Sequence, residues 1–190
     1  LINSSKNKHI IVDQVICLDH PWYHKGFIQD QVKRIPEWVV FINRKIFLKK
    51  ASKFKCSKKI FLDRSSSRFN HCQIFDQKRM NKWVKKNNLI IYKPEKISFK
   101  KQIYLFKKAS VILGAHGAAF TNIIFCRPGT KIIEIIPANH PNKKCERVSK
   151  ILKLKYFRIV TKSDDSNKNF PFRIHLEKKH LKMIDEAINL

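Results

Sequence analysis

At 190 residues, with a formal net charge of +27 from 41 Lys+Arg against 14 Asp+Glu, the chain has room for one domain, with or without a fragment of another. Its apolar fraction of 43% speaks against general disorder, and no run of about 18 apolar residues suggests a membrane-spanning helix. The chain starts at Leu1 with nothing resembling a signal peptide, so a piece of a longer protein is the expectation.

In chain order, residues 1–57 read as a partial N-terminal or interdomain segment. His9 to Leu18 is strand-like, and Asp19 to Gly26 is a polar-aromatic loop. Pro36-Glu37-Trp38 opens a helix through about Leu48, with proline in the first turn, where its missing N–H costs little. The basic tract Lys49 to Lys59 reads as a linker. His20 and His24 with Asp13 and Asp19 invite a metal-site reading, but no fourth ligand is identifiable. Trp22 and Tyr23 offer faces for a sugar ring at the border of an interdomain cleft.

From residue 58 to residue 190, strand-like and helix-like segments alternate. Lys59 to Leu62 is a strand, Asp76 caps a helix to about Asn87, and Leu89 to Tyr92 is the next strand. Ser98 caps a helix whose Phe99, Ile103, Phe106 and Ala109 recur at helical spacing. A buried strand from Ser110 to Leu113 runs into a glycine cluster, then an apolar helix from Ala118 to Cys126 and a strand from Lys131 to Ile136. A helix over about Lys144 to Leu152, a strand from Tyr156 to Val160 and a helix from about Leu176 to Asn189 complete the order. This alternation predicts an α/β fold, a doubly wound Rossmann-like parallel sheet with helices on both faces. Ligands bind such sheets at the carboxyl ends of the strands.

Three of the four glycines, Gly114, Gly117 and Gly129, fall in or just after that cluster. Backbone N–H groups around Gly117 and Ala118, at the positive end of a helix, make a pocket for an anion such as phosphate. His116 adds a donor there, with a satisfied structural histidine as the competing role. Thr121 and Asn122 add two more, with helix capping as theirs. Pro128-Gly129 is ordinary turn chemistry. Arg64 and Arg68 follow a strand at the binding edge, where the guanidinium fork suits a diphosphate; plain surface charge is the alternative. Glu134 is an acid inside an apolar strand and needs a partner, either ribose hydroxyls or a nearby lysine.

The basic excess is 32 Lys and 9 Arg, spread along the whole length. It reads equally as compositional drift or as a surface selected for polyanions. Five cysteines are odd in number and widely separated, which points to reduced, buried thiols in a cytosolic setting.

Pro94-Glu95-Lys96-Ile97-Ser98-Phe99, Gln102, the run Gly114 to Asn122, Pro128-Gly129-Thr130 and Glu134 resemble, in order and spacing, motifs of glycosyltransferase family 61. Phe61-Leu62-Asp63-Arg64 with Arg68 is similar to that family's strand ending in an arginine with a second one nearby. The resemblance covers about Lys58 to Pro137. It implies the donor-binding half of a GT-B-type enzyme, with residues 58–190 as the nucleotide-sugar-binding domain. It further implies a nucleoside diphosphate sugar, UDP-linked, as co-substrate, transfer with inversion to a glycan hydroxyl, and no metal cofactor. Arg64, Arg68, His116, Gly117, Ala118, Thr121, Asn122 and Glu134 are then the nucleotide-sugar-binding set, with the base supplied by another domain. The same reading implies polysaccharide synthesis in the cytoplasm, peripheral at the inner face of an anionic membrane. A non-enzymatic module for nucleic acid or another polyanion is the alternative. It calls for clustered arginine and aromatic residues, and the sequence has dispersed lysine instead.

Overall fold

The computed structural model describes residues 35–66, 71–138, 140, 144–164 and 172–190. Helix α1 (Glu37–Phe47) follows Pro36 and ends in a single 3-10 turn, Leu48–Lys50. Next come β1 (Lys59–Leu62), α2 (Gln77–Lys86), β2 (Ile90–Tyr92), α3 (Phe99–Lys108) and β3 (Val111–Ala115). A 3-10 helix (Ala118–Phe125), β4 (Lys131–Pro137), α4 (Lys144–Ile151) and β5 (Lys155–Thr161) follow. Two short strands, β6 (Ser163–Asp164) and β7 (Arg173–Ile174), pair antiparallel before the last helix, α5 (Lys178–Asn189).

Strands β1 to β5 form one sheet in the order β2-β1-β3-β4-β5, with every neighbouring pair parallel. Their side chains alternate between two apolar layers. Ile60, Leu62, Ile112 and Ile132 lie under α1, α3, the 3-10 helix and α4, while Phe61, Leu113, Ile133 and Ile135 face α2 and α5. A sheet covered on both faces needs strands that are largely apolar; β1 and β3 are, and β4 is apart from Lys131 and the buried Glu134. Burying each such side chain contributes roughly 1.5–3 kcal/mol before conformational entropy is charged against it. Helix α1 belongs to the first layer: Val40 is 2% exposed, and Arg44 donates to the carbonyls of Ile124 and Cys126. Among the described residues no helix is long and apolar enough to cross a membrane.

The apolar helix expected from Ala118 to Cys126 is a 3-10 helix, Ala118–Phe125. Its buried Phe120 and Ile123, with Cys126 just beyond, recur every third residue. Three residues per turn stack them on one face, whereas 3.6 per turn would rotate them away from the sheet. Asp76 caps α2 as its sequence predicts, accepting from the Arg79 N–H at 2.9 Å. Ser98 precedes α3 in extended conformation but makes no side-chain cap bond.

The strand order has one reversal that matters. The chain leaves β1 toward β2 and leaves β3 toward β4, so two neighbouring crossovers diverge. Divergent crossovers open a crevice at the carboxyl ends of β1 and β3, the place where parallel sheets of this order receive ligands.

Candidate functional site

The crevice is built first by the turn after β1. Asp63, 2% exposed, accepts from the Ser65 N–H at 2.8 Å and the Ser65 hydroxyl at 3.0 Å, and its carboxylate lies 3.7 Å from Lys93 Nζ. Those bonds fold the chain sharply and send Arg64 across the end of β3. There the guanidinium covers Gly117, so closely that a Cβ on residue 117 would sit 0.9 Å from Arg64 Nη1. Gly117 has φ 167° and ψ −179°, an extended backbone open to any residue. Its glycine is required by the arginine above it, not by the main chain. Arg64 Nε is buried and has no partner among the described residues. Burial, opposed by nearby Cys72 and Glu95, depresses the Arg64 pKa, but a guanidinium stays charged in proteins.

Behind this arginine lies a buried polar network. His116, 4% exposed at the end of β3, donates from Nδ1 to Glu134 Oε1 at 2.5 Å. Glu134, 1% exposed on β4, also accepts from Cys145 Sγ at 3.2 Å on Oε1 and from the Tyr156 hydroxyl at 2.6 Å on Oε2. Burial alone would raise the carboxyl pKa; the bonds and charge from His116, then Tyr156 and Cys145, outweigh it and hold Glu134 ionised below the usual range. The same carboxylate adds to burial in pushing the Cys145 thiol and the Tyr156 hydroxyl up, so both stay protonated donors. With Nδ1 committed to Glu134, the other ring nitrogen of His116 is the one left for a ligand.

Two further imidazoles complete the cleft. The His140 ring lies 4.2 Å from His116, centroid to centroid, and His71 lies 5.2 Å from His140 and 6.4 Å from His116. Phe172 packs edge-on at 5.2 Å from both His71 and His140. Arg64, Gly117, Ala118 and Lys144 close an open cavity of about 420 Å³ around them. Lys144, at the start of α4, donates to the Thr121 hydroxyl at 3.1 Å.

By distance alone, His71, Cys72 and His140 could gather a cation, since their donor atoms fall within 4.8 Å of one another. One feature favours an anion instead: Arg64 sets its positive charge beside both Cys72 and His71. A more enclosed pocket of about 340 Å³ lies between the starts of α2 and α5, lined by Phe75, Arg79, His175 and Glu177. Its Phe75 ring already stacks on His175 at 4.7 Å and carries Arg173 at 4.2 Å, and its charges are mixed in sign. In the histidine cleft the charged lining residues are the cations Arg64 and Lys144.

Of the residues singled out by sequence, Arg64, His116, Gly117 and Ala118 meet in this cleft, and Glu134 stands behind His116. Thr121 reaches it through Lys144. Asn122 is directed elsewhere, donating to Gln102 Oε1 at 2.7 Å while Gln102 donates to the carbonyls of Pro94 and Ile97 at 2.9 and 3.0 Å. That chain of bonds ties the loop after β3 to the start of α3. Gly129 is a turn residue with φ 79°, and the Thr130 N–H returns to the Arg127 carbonyl at 3.2 Å. Arg68 lies outside the described residues, as do Asp13, Asp19, His20, Trp22, Tyr23 and His24. His71, His140, Lys144, Cys145 and Tyr156 escaped sequence reasoning. For His71 and His140 a signal existed, since both follow the carboxyl ends of strands.

The glycosyltransferase 61 family model matches residues 8–133, well over half of the chain. A beta-1,2-xylosyltransferase of Arabidopsis thaliana is 40% identical over 60 residues, which are 32% of this chain and 11% of that protein. The beta-1,2-xylosyltransferase RCN11 of Oryza sativa subsp. japonica is 33% identical over 63 residues, 33% of this chain and 12% of the relative. The matched segments thus span about a ninth of each relative's length.

Proposed function

The chain belongs to the glycosyltransferase 61 family, and from that premise we propose that it is the donor-binding half of a GT-B-type transferase. It binds a UDP-sugar and delivers the sugar, with inversion, to a hydroxyl of a glycan. The observation that carries this reading is the Arg64 guanidinium lying over Gly117 at the divergence of β1 and β3, with His116 beside it. When the glycosidic bond breaks, negative charge grows on the leaving diphosphate. Arg64, Lys144 and the Nε2–H of His116 in its imidazolium form stabilise that charge most as it develops, so they lower the barrier and do not merely tighten binding. Glu134 is a positioning residue: it accepts the Nδ1–H of His116 and so holds the orientation of the ring. Fixed cations meet the charge demand without a divalent metal. The base that activates the acceptor hydroxyl is assigned to another part of the protein. The names of the two plant relatives make xylose the first donor sugar to try. The lysine-rich surface suits peripheral contact with an anionic membrane, each lysine near it contributing about 1 kcal/mol.

Calorimetry with UDP in the presence of EDTA tests the reading. Saturable binding that is indifferent to EDTA is expected. Strict dependence on Mg²⁺ or Mn²⁺ would mean a different phosphate site.

A further inference from the structure

Helix α1 has a packed side and an open one. On the packed side Val40 is buried, Arg44 donates to the carbonyls of Ile124 and Cys126, and Phe47 meets Phe99 and Phe125 edge-on, with centroids 5.5 and 6.4 Å apart. The open side carries Trp38, Phe41, Ile42 and Ile46, which are 56%, 50%, 46% and 47% exposed. Trp38, Ile42 and Ile46 recur at four-residue spacing and so form one row along the helix, with Phe41 and the exposed Lys45 as the row beside it. No other described helix or strand has more than one large apolar side chain so open. Single exposed apolar residues are normal, but four on one helix face mark a surface made for contact.

The charge around this face selects the partner. From Ile35 to Leu62 the chain has one acid, Glu37, against Arg44 and seven lysines. Lys45 stands within the apolar face, and Lys49, Lys50, Lys53 and Lys55 are exposed just beyond it. A dry protein interface would bury Lys45 among apolar groups, where an ammonium without an acid is costly and lysine is depleted. A second copy of the same face would set lysine against lysine. At a lipid–water boundary the mixture is favourable. Tryptophan, phenylalanine and isoleucine enter between headgroups and acyl chains, while lysine stems lie along the apolar surface and keep their ammonium groups at the phosphates.

Resting on the membrane contact proposed above, to which it gives a definite face, we infer that the open side of α1 is a docking surface for an anionic lipid bilayer. Trp38, Phe41, Ile42 and Ile46 enter the headgroup layer, and the lysines around them meet the anionic lipid groups. Charge spread along the whole chain would hold it to such a surface in many orientations; an apolar row on one helix selects one. The layer of α1 and α3 then faces the bilayer, and the layer of α2 and α5 faces away.

The test is sedimentation of the chain with phosphatidylcholine vesicles, with and without phosphatidylserine, beside quenching of tryptophan fluorescence by lipids brominated on the upper acyl chain. Binding is expected where phosphatidylserine is present, weakening as salt screens the lysines, and it should quench Trp38. Trp38→Phe should stay folded, keep binding and lose most of the quenching, leaving Trp22 and Trp83 to report. An Ile42→Ser, Ile46→Ser double variant should bind about tenfold more weakly, or less still, because two half-open apolar side chains no longer leave water. Met183→Ser, equally open but on α5 across the sheet, should bind as the unaltered chain does. Melting temperature and oligomeric state are measured for each without lipid. If the unaltered chain binds neither kind of vesicle, the membrane contact and this inference fall together. If it binds but Trp38→Phe is quenched as before, or the double variant binds undiminished, only the inference falls. A double variant that loses melting temperature or an oligomer while keeping vesicle binding also overturns it, since the face would then be covered within the chain or by a second copy.

Discussion

Arg64 and Gly117 form one unit: the arginine's terminal nitrogen occupies the space that a side chain on residue 117 would fill. Because the obstructing atom is the far end of a flexible side chain, Gly117→Ala should fold and displace the guanidinium. Loss of a hydrogen-bonded cation from a diphosphate costs about 1.5–3 kcal/mol. Gly117→Ala and Arg64→Ala should each weaken UDP binding by that amount, and the double variant by little more than either, since both remove the same contact. Melting temperatures without UDP should move little. Additive losses in the calorimeter would show that Gly117 acts independently of Arg64.

Gly114 should behave in the opposite way. A Cβ there meets Leu62 Cβ at 3.0 Å and the Leu62 carbonyl oxygen at 3.1 Å, both part of the adjoining strand β1. Strand backbone cannot swing aside, so Gly114→Ala should force β1 and β3 apart and destabilise the fold by about 1–3 kcal/mol. The check is thermal or urea unfolding of the two glycine variants side by side. Equal stability of Gly114→Ala and the unaltered chain would contradict the packing described for the crevice.

The two glycines show what was legible in the sequence and what was not. Their scarcity drew attention to the right turn, and alternating apolar segments gave the strands, the covering helices and the carboxyl edge on which Arg64 and His116 sit. Composition could not say why each glycine is there, because one answers to an arginine and the other to a neighbouring strand. The period of three at Phe120, Ile123 and Cys126 is present in the sequence, but an apolar stretch of that length fits either helix type until the sheet beneath selects a face. Glu134 plainly needed a partner. Its actual partners come from the end of β3, from α4 and from β5, and only the register that sets Glu134 between Gly114 and Arg158 brings those elements together. His71 and His140 lie in loops whose paths no local pattern dictates.

The bond between Asn122 and Gln102 is a strut whose loss should be felt in the fold before it is felt by a ligand. Asn122→Ala strands Gln102 Oε1, a half-buried acceptor at the junction of α3 with the loop after β3. A loss of about 1 kcal/mol is expected, the size of one net hydrogen bond. Gln102→Ala should cost more, because it also frees the carbonyls of Pro94 and Ile97. UDP affinity at a temperature where both variants are folded should change by less than in Arg64→Ala. A larger loss of affinity than of stability would reassign Asn122 to the ligand.

Glu134 should give the fold a distinct acid sensitivity. Its carboxylate is buried, and the donors His116, Tyr156 and Cys145 hold its pKa below the usual glutamate value of about 4.3. A group whose folded pKa is depressed contributes stability that is fully present above the unfolded value and is lost as pH falls through the folded one. Glu134→Gln removes that contribution while keeping the shape, and Glu134→Ala removes it and strands three buried donors, at about 1–3 kcal/mol for each strong one. The difference in melting temperature between the unaltered chain and Glu134→Gln should therefore shrink as pH falls below about 4.3. Taking the difference cancels the titration of carboxylates that both proteins share, and it is read below about pH 5 because Glu134 also acts on His116 and His140. Thermal melts from pH 3 to pH 7 decide it. A difference that stays flat into acid would mean the network is held by a neutral Glu134, and with it the role of the ionised carboxylate in orienting His116 would fall.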